Sequence, residues 1–342
     1  MKKKCFLFTV LILLITSINS ISLENPSVRL LKSEQSGKEI YRYFFREDKQ
    51  KKIYPFLKVS ENELEFFLPD GRLLTTFSYL PQSNVITSKG QNFVAFIQRS
   101  DSFEVPGLYA DKKKFVYRIT NFKGQEKYSI KLELHQSEPI PAIYLNNDGR
   151  SILVDGAAAK IQLFSLNGAI IRSIDLFEDN IYNYEKPIYC ATNALGNFAV
   201  IAQKKPATFI EDNAEFISGE PWLFYFSHDG TEIWRKKLDA WSVSDLSISE
   251  SGRIILVSSH TPVYGSNPRL KTYIFDSSGE EMAALPLLFR YAAFTDRDSL
   301  FYLADRSGIF LVDIENGKLN WQNFYNFEKT KTIINIFHTS NN

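Results

Sequence analysis

The sequence predicts an all-β chain, a single β-propeller of four-stranded antiparallel blades, six in number. Three observations lead there. Two kinds of glycine-bearing turn alternate along the chain, and each interval between turns of one kind holds four short strand-like runs. After the first twenty residues, no stretch keeps a 3.6-residue apolar period for twelve residues, which argues against an α/β alternative. Four antiparallel strands in series, recurring at blade length, are the repeat of a propeller.

The elements follow in chain order. Residues 1–20 carry Lys2, Lys3 and Lys4, then an apolar run from Cys5 to Ile15 broken by Thr9, then polar Thr16, Ser17, Asn19 and Ser20. That is the make-up of a secretory signal peptide, with cleavage expected after Ser20 or after Ser22. The apolar run would span about 16 Å as a helix, roughly half the hydrocarbon core, so an uncleaved membrane anchor is the weaker reading. A lipid anchor needs a cysteine just after the apolar run, but Cys5 precedes it and Cys190 lies far downstream. The expectation is bacterial export, to the periplasm or the exterior. No stable membrane insertion is expected once the leader is gone, and one propeller domain should occupy 21–342.

The first kind of turn opens a strand. It appears as Lys89-Gly90-Gln91-Asn92 before FVAFIQ, Asp148-Gly149-Arg150 before SILV, Leu195-Gly196-Asn197 before FAVIAQ, and Ser251-Gly252-Arg253 before IILV. Asp298 holds the same place before SLFYLA without a glycine. The second kind joins two strands at Gly71, Gly124, Gly168, Gly230, Gly279 and Gly317, spaced 53, 44, 62, 49 and 38 residues apart. The third unit shows its four runs cleanly as PAIYLN, SILVDG, KIQLFSL and AIIRSIDL. Its Asn167-Gly168 pair reads as a tight hairpin turn with both central residues at positive φ. Six second turns give six blades. Strand-like material in 21–45 and 330–338 leaves a seventh open, and KTIINIFH is the candidate strand for closing the ring.

Composition agrees with this and excludes other classes. The 342 residues are 44% apolar and 23% charged, which excludes disorder and collagen-like fibre. Aromatics reach 14%, with 28 Phe and 17 Tyr, and large flat side chains favour pleated sheet. The net charge of +1 makes no case for nucleic acid, and removing the three leader lysines leaves the chain slightly acidic. Two cysteines, one of them in the leader, exclude a disulfide scaffold.

The run from Leu311 to Trp321, LVDIENGKLNW, resembles the PQQ-like propeller repeat: a strand, an Asp, a turn with Gly-Lys, and Trp four residues after the glycine. Phe226 to Trp234 has the same glycine-to-tryptophan spacing. The other units carry Thr75, Tyr128, Arg172 and Ala283 at that place, so they are similar only to the general pattern of WD-repeat-like propellers. The resemblance implies the fold. Quinone-binding members hold the cofactor with calcium, several beside a vicinal cysteine pair, whereas Cys190 stands alone; neither PQQ nor calcium is expected here. Non-catalytic members act as periplasmic scaffolds, and that implication suits this chain. Trp234 and Trp321 are expected to pack between neighbouring blades.

Motifs for chemistry are sparse. His135, His228, His260 and His338 have no zinc-ligand spacing, and only His260, ending a strand where an insertion begins, stands out. Asn146-Asn147-Asp148-Gly149 reads as a β-turn rather than an EF-hand loop. No nucleophile elbow, Walker loop or dinucleotide fingerprint occurs. The basic runs Lys112–Lys114 and Arg235–Lys237 read as solvated strand edges.

The informative irregularity is loop length. From first to second turn, units three and six have 19 residues, whereas units two, four and five have 34, 34 and 27. The extra residues fall between second and third strands, at 99–114, 204–220 and 260–271. Insertions at one topological place point to a shared binding face. Its candidate residues are Phe103, Tyr109, Phe209, Glu211, Phe216, His260, Tyr264 and Arg269, the aromatic and charged types that contact a protein or a glycan. The leading expectation is an exported, monomeric, non-catalytic propeller that binds or scaffolds a protein or extracellular polymer. The alternative is a propeller enzyme, a hydrolase, lyase or quinone-linked oxidoreductase, with its site at the central channel.

Overall fold

The computed structural model describes residues 6–10, 32–36, 42–47, 53–81, 83–88, 90–100, 112–135, 137–156, 158–177, 189–211, 214–263, 266–295, 297–305, 308–315 and 318–326. KTIINIFH lies outside them. They belong to two compact units, Tyr41–Leu238, and Met1–Ile40 together with Asp239–Asn342. In the second of these, β1 (Phe6–Val10) pairs antiparallel with β2 (Lys32–Ser36).

The unit Tyr41–Leu238 holds four sheets, each of four strands consecutive in sequence. The first blade is β3 (Arg42–Glu47), β4 (Ile53–Val59), β5 (Glu63–Phe67) and β6 (Leu73–Ser78). The second is β7 (Ile86–Thr87), β8 (Phe93–Arg99), β9 (Lys112–Asn121) and β10 (Glu126–His135). The third is β11 (Ala142–Leu145), β12 (Ser151–Asp155), β13 (Lys160–Phe164) and β14 (Ile170–Asp175). The fourth is β15 (Tyr189–Thr192), β16 (Phe198–Glu211), β17 (Ala214–Phe226) and β18 (Glu232–Lys237).

The other unit holds two more blades of the same build. The fifth is β19 (Ser242–Ile248), β20 (Ile254–Val263), β21 (Ser266–Asp276) and β22 (Glu281–Leu285). The sixth is β23 (Tyr291–Phe294), β24 (Leu300–Ala304), β25 (Gly308–Glu315) and β26 (Lys318–Asn326). Six four-stranded antiparallel sheets make this a β-propeller fold, as the turn spacing predicts. Strand-like material in 21–45 goes partly into the first blade, as β3.

The second strands β8, β12, β16, β20 and β24 are buried on both faces over their central residues, so they read as continuous apolar runs rather than alternating ones. Alternate residues still go opposite ways. Val94 and Phe96 join Phe56, Leu64 and Phe66 in one core, whereas Ala95 and Ile97 join Ile143, Leu145 and Leu153 in the next. Ile152 and Val154 of β12 turn to a third core with Phe198, Val200, Phe224 and Phe226. In the other unit, Ile254 and Leu256 pack with Phe301, Leu303 and Val312. β8 and β12 thus each feed two seams.

The turns correct one expectation. Gly71, Gly124, Gly168, Gly230 and Gly279 have φ between +74° and +84°, but the residues before them do not share the left-handed region. The loops have three residues, not two. Leu68 N–H donates to Arg72 O at 2.9 Å while Gly71 N–H donates to Leu68 O at 2.9 Å, a type I turn closed by a glycine bulge. A polar side chain completes it, as where Asp229 Oδ1 accepts from Thr231 N at 3.1 Å. Those hydrogen bonds, Ser227's first, hold the Asp229 carboxyl down at about 2.

Gly90 needs a second correction. The left-handed residue of that turn is Gln91, at φ +54°. Gln91 N–H donates to Ser88 O as Gly252 N–H donates to Ser249 O, so Gln91 holds the place of Gly252. Gly90 instead makes room for Asn147, whose Oδ1 accepts from Gly90 N at 2.6 Å.

Candidate functional site

In an antiparallel meander, both glycine turns of a blade lie at one end of its sheet and the hairpin between second and third strands lies at the other. The expected insertions belong to that other end. In the fourth blade the insertion is not a loop. β15 pairs β16 only over Phe198–Ile201 and β18 pairs β17 only over Trp222–Phe226, while β16 and β17 continue together out to Glu211 and Ala214. Beyond the sheet the hairpin is a two-stranded ribbon. In the fifth blade, β20 and β21 likewise continue from Thr261↔Arg269 to Val263↔Ser266, past their last contacts with β19 and β22. Each ribbon carries a register shift, between Lys204 and Ala207 and between Thr261 and Val263. Pro206 and Pro262 fall in those irregularities, where a missing N–H costs no ladder bond.

Of the eight candidate residues, the structure brings Phe209 and Phe216 into direct register, with Glu211 opposite Ala214 next to the tip. His260 stands where the fifth-blade ribbon leaves the sheet, paired with Ser242 on one side and Leu270 on the other. Arg269 is exposed, one residue farther out opposite Thr261. Phe103, Tyr109 and Tyr264 lie outside the described residues. The ribbon bases are tied by charge. Lys237 Nζ pairs with Glu220 at 2.9 Å, and Lys271 Nζ pairs with Glu281 at 3.2 Å and lies over the Tyr273 ring at 3.7 Å. Burial holds His260 below the ordinary imidazole range, so it is neutral at pH 7.

The basic run on β18 is a solvated edge as expected, with Arg235 Nε 2.7 Å from Glu232 Oε1. The tryptophan expectation is corrected. Trp234 packs on Tyr225 of its own blade at 5.5 Å, and Trp321 on Phe310 of its own blade at 5.8 Å while 44% exposed. Both lie on the outermost strand, so each covers its own third strand. The Asn146–Arg150 segment is a turn, and Asp148 Oδ2 is bound by Arg150 Nε at 2.6 Å.

One group was missed by sequence reasoning. Asp245 of β19 stands opposite Ser258, after an irregularity that skips Ser244. It therefore shares a face with Ser258, whose Oγ accepts from Phe289 N at 3.1 Å, and it lies in the field of Arg290 on the same connection. Burial pushes its carboxyl up to about 7, against the pull of the Leu246 amide and of Arg290. The alternation in Ser242–Ile248 does not reveal this, because the skipped residue reverses it. Among the described residues, no group of three His, Cys, Asp or Glu side chains is placed to hold a metal ion.

No family model matches the chain, and no curated protein matches it. Among solved structures, the Dos1 propeller superposes with a TM-score of 0.50 at 10% identity, over 83% of this chain and 74% of that one. A protein of unknown function from Bacteroides caccae gives 0.42 at 14% identity, over 75% and 86%. The first supports the propeller fold.

Proposed function

We propose that the chain is an exported β-propeller that binds a protein or an extracellular polymer without catalysing a reaction, and that the ribbons of the fourth and fifth blades are contact elements. The observation that supports this is the continuation of two hairpins well past their own sheets. Strands that continue past their sheet keep a paired backbone, which is how a stable fold presents a contact surface. The leader composition supports export, and the lone Cys190 in the exported part suits a chain that relies on its cores. In this reading the protein acts as a monomer and needs no quinone or calcium.

The test is affinity capture from bacterial envelope extracts, using the chain 21–342 beside a variant in which short turns replace 204–220 and 261–269. The full chain should retain a defined partner or polymer that the trimmed chain loses. Equal retention by both would sink the ribbon assignment, and capture of nothing by the full chain would sink the binding role.

A second reading, a propeller enzyme, draws on Asp245 alone: a half-buried carboxyl raised to about 7 is of the kind general acids use. Turnover on a panel of glycans and peptides, abolished by Asp245→Asn, would favour it.

A further inference from the structure

The fourth-blade ribbon has two outer edges, and they differ. Leu238 N donates to Pro221 O at 2.9 Å, so Pro221 turns its carbonyl away from β16. From there to Ala214, β17 runs without an extra residue, because the register shift between Lys204 and Ala207 places the extra one on β16. Backbone direction alternates along a strand, so Gly219, Ile217 and Glu215 turn their N–H and C=O groups to the same side as the Pro221 carbonyl. β18 ends its pairing at Trp222. Among the described residues, no strand lies farther out to receive those groups.

The other ribbon edges are blunted. Past the last contacts with their neighbours in the sheet, β16 carries Pro206, β20 carries Pro262 and β21 carries Pro268. Proline has no N–H to offer an added strand, and proline and lysine are the residues that keep exposed edges from pairing. Residues 214–220, AEFISGE, contain neither. One ribbon edge out of four is left open.

We propose that the β17 edge over 214–220 binds an extended segment of a partner protein, which adds to the ribbon as a third strand. This rests on the ribbon being a contact element and narrows its partner to a protein, because a glycan has no continuous row of backbone amides at strand spacing to meet Glu215, Ile217 and Gly219. Charge selects the segment. Residues 207–219 include acidic side chains and no Lys or Arg, and Glu211 and Glu215 stand next to the tip. The segment therefore carries Lys or Arg at the end that lies beside the tip. A second copy of this chain is unsuited, since pairing 214–220 with itself brings no opposite charges together.

A random-peptide library displayed on phage supplies the probe, selected on the chain 21–342 and counter-selected on the variant with a short turn in place of 204–220. The selected peptides should carry Lys or Arg toward one end. Ile217→Pro should weaken their binding about tenfold or more, through the loss of main-chain bonds. Thr208→Pro alters the opposite edge at the same cross-strand pair and should leave binding little changed. Methylating alternate amides of a selected peptide should abolish binding to the unaltered chain in one of the two alternations, a readout independent of how any variant folds. Undiminished binding by Ile217→Pro, equal losses from the two prolines, indifference to methylation, or a library that yields no ribbon-dependent peptide would overturn strand addition. A partner captured from envelope extracts that needs 204–220 yet tolerates Ile217→Pro would also overturn it while leaving the ribbon a contact element. Capture that survives trimming overturns the ribbon assignment itself.

Discussion

Gly71 and Gly124 close the same turn in successive blades, at φ +84° and +74°, but in different surroundings. A Cβ at Gly71 would meet nothing within 4 Å, whereas one at Gly124 would lie 2.4 Å from Thr75 Cγ2 and 3.2 Å from Phe66 Cγ. The left-handed backbone alone costs an alanine about 1–2 kcal/mol, so Gly71→Ala should lose that much stability. Gly124→Ala should lose a further ~1–3 kcal/mol, because the fully buried Phe66 ring cannot give way. Urea denaturation of the two variants measures the difference, and equal losses would show that the close approach between blades carries no weight. Asp245 is the other residue with a distinct expectation. Its carboxyl ionises at 3.8 in the open chain and at about 7 in the fold. Between those values the folded state holds a proton that the unfolded state has lost, so stability falls as pH rises through that window and levels above it. Asp245→Asn should therefore raise the melting temperature more at pH 8 than at pH 4. A gain independent of pH would refute the burial argument.

The ribbons of the fourth and fifth blades are the elements whose removal should cost least. Among the described residues, the core shared by the third and fourth blades takes Phe198, Val200 and Ala202 from β16 and Phe224 and Phe226 from β17, all inside the sheet. Replacing 204–220 by a short turn should then shift the thermal midpoint by only a few degrees, read by circular dichroism. A loss comparable to deleting a core phenylalanine would mean that the ribbon supports the sheet. The blades themselves were legible in the sequence because period-two burial and left-handed glycines are local properties. FVAFIQ and SILV announce doubly buried strands, and Gly71 to Gly279 announce turns. The ribbons were legible only as insertions. The insertion 204–220 reads as extra length between two strands, and only cross-strand register shows that Pro206 falls in an irregularity rather than ending the strand. Gln91 was hidden for a similar reason: a neighbouring glycine drew the alignment one residue out of place. Asp245 required knowing that Ser244 is skipped, which depends on its partner strand.

At the scale of the unit Tyr41–Leu238, stability resides in the seams rather than in single blades. The odd and even residues of β8 enter different cores, and those of β12 do the same, so the cores form a chain of nearest neighbours. Phe198 is a node in that chain. It is fully buried, stacks on Phe226 at 4.9 Å, and shares its core with Ile152, Ile161 and Leu163 of the preceding blade. Phe198→Ala should cost about 3–5 kcal/mol, with the spread set by how far the seam can collapse into the space left behind. The two sheets meet through this one core, so the damage should not stop at the mutated strand. Amide hydrogen exchange should rise together in Ser151–Phe164 and in Phe198–Phe226, with less change in the first blade, where the cores share no residue with this one. If only the fourth-blade amides lost protection, each sheet would hold itself, and the seam would not be the unit of stability.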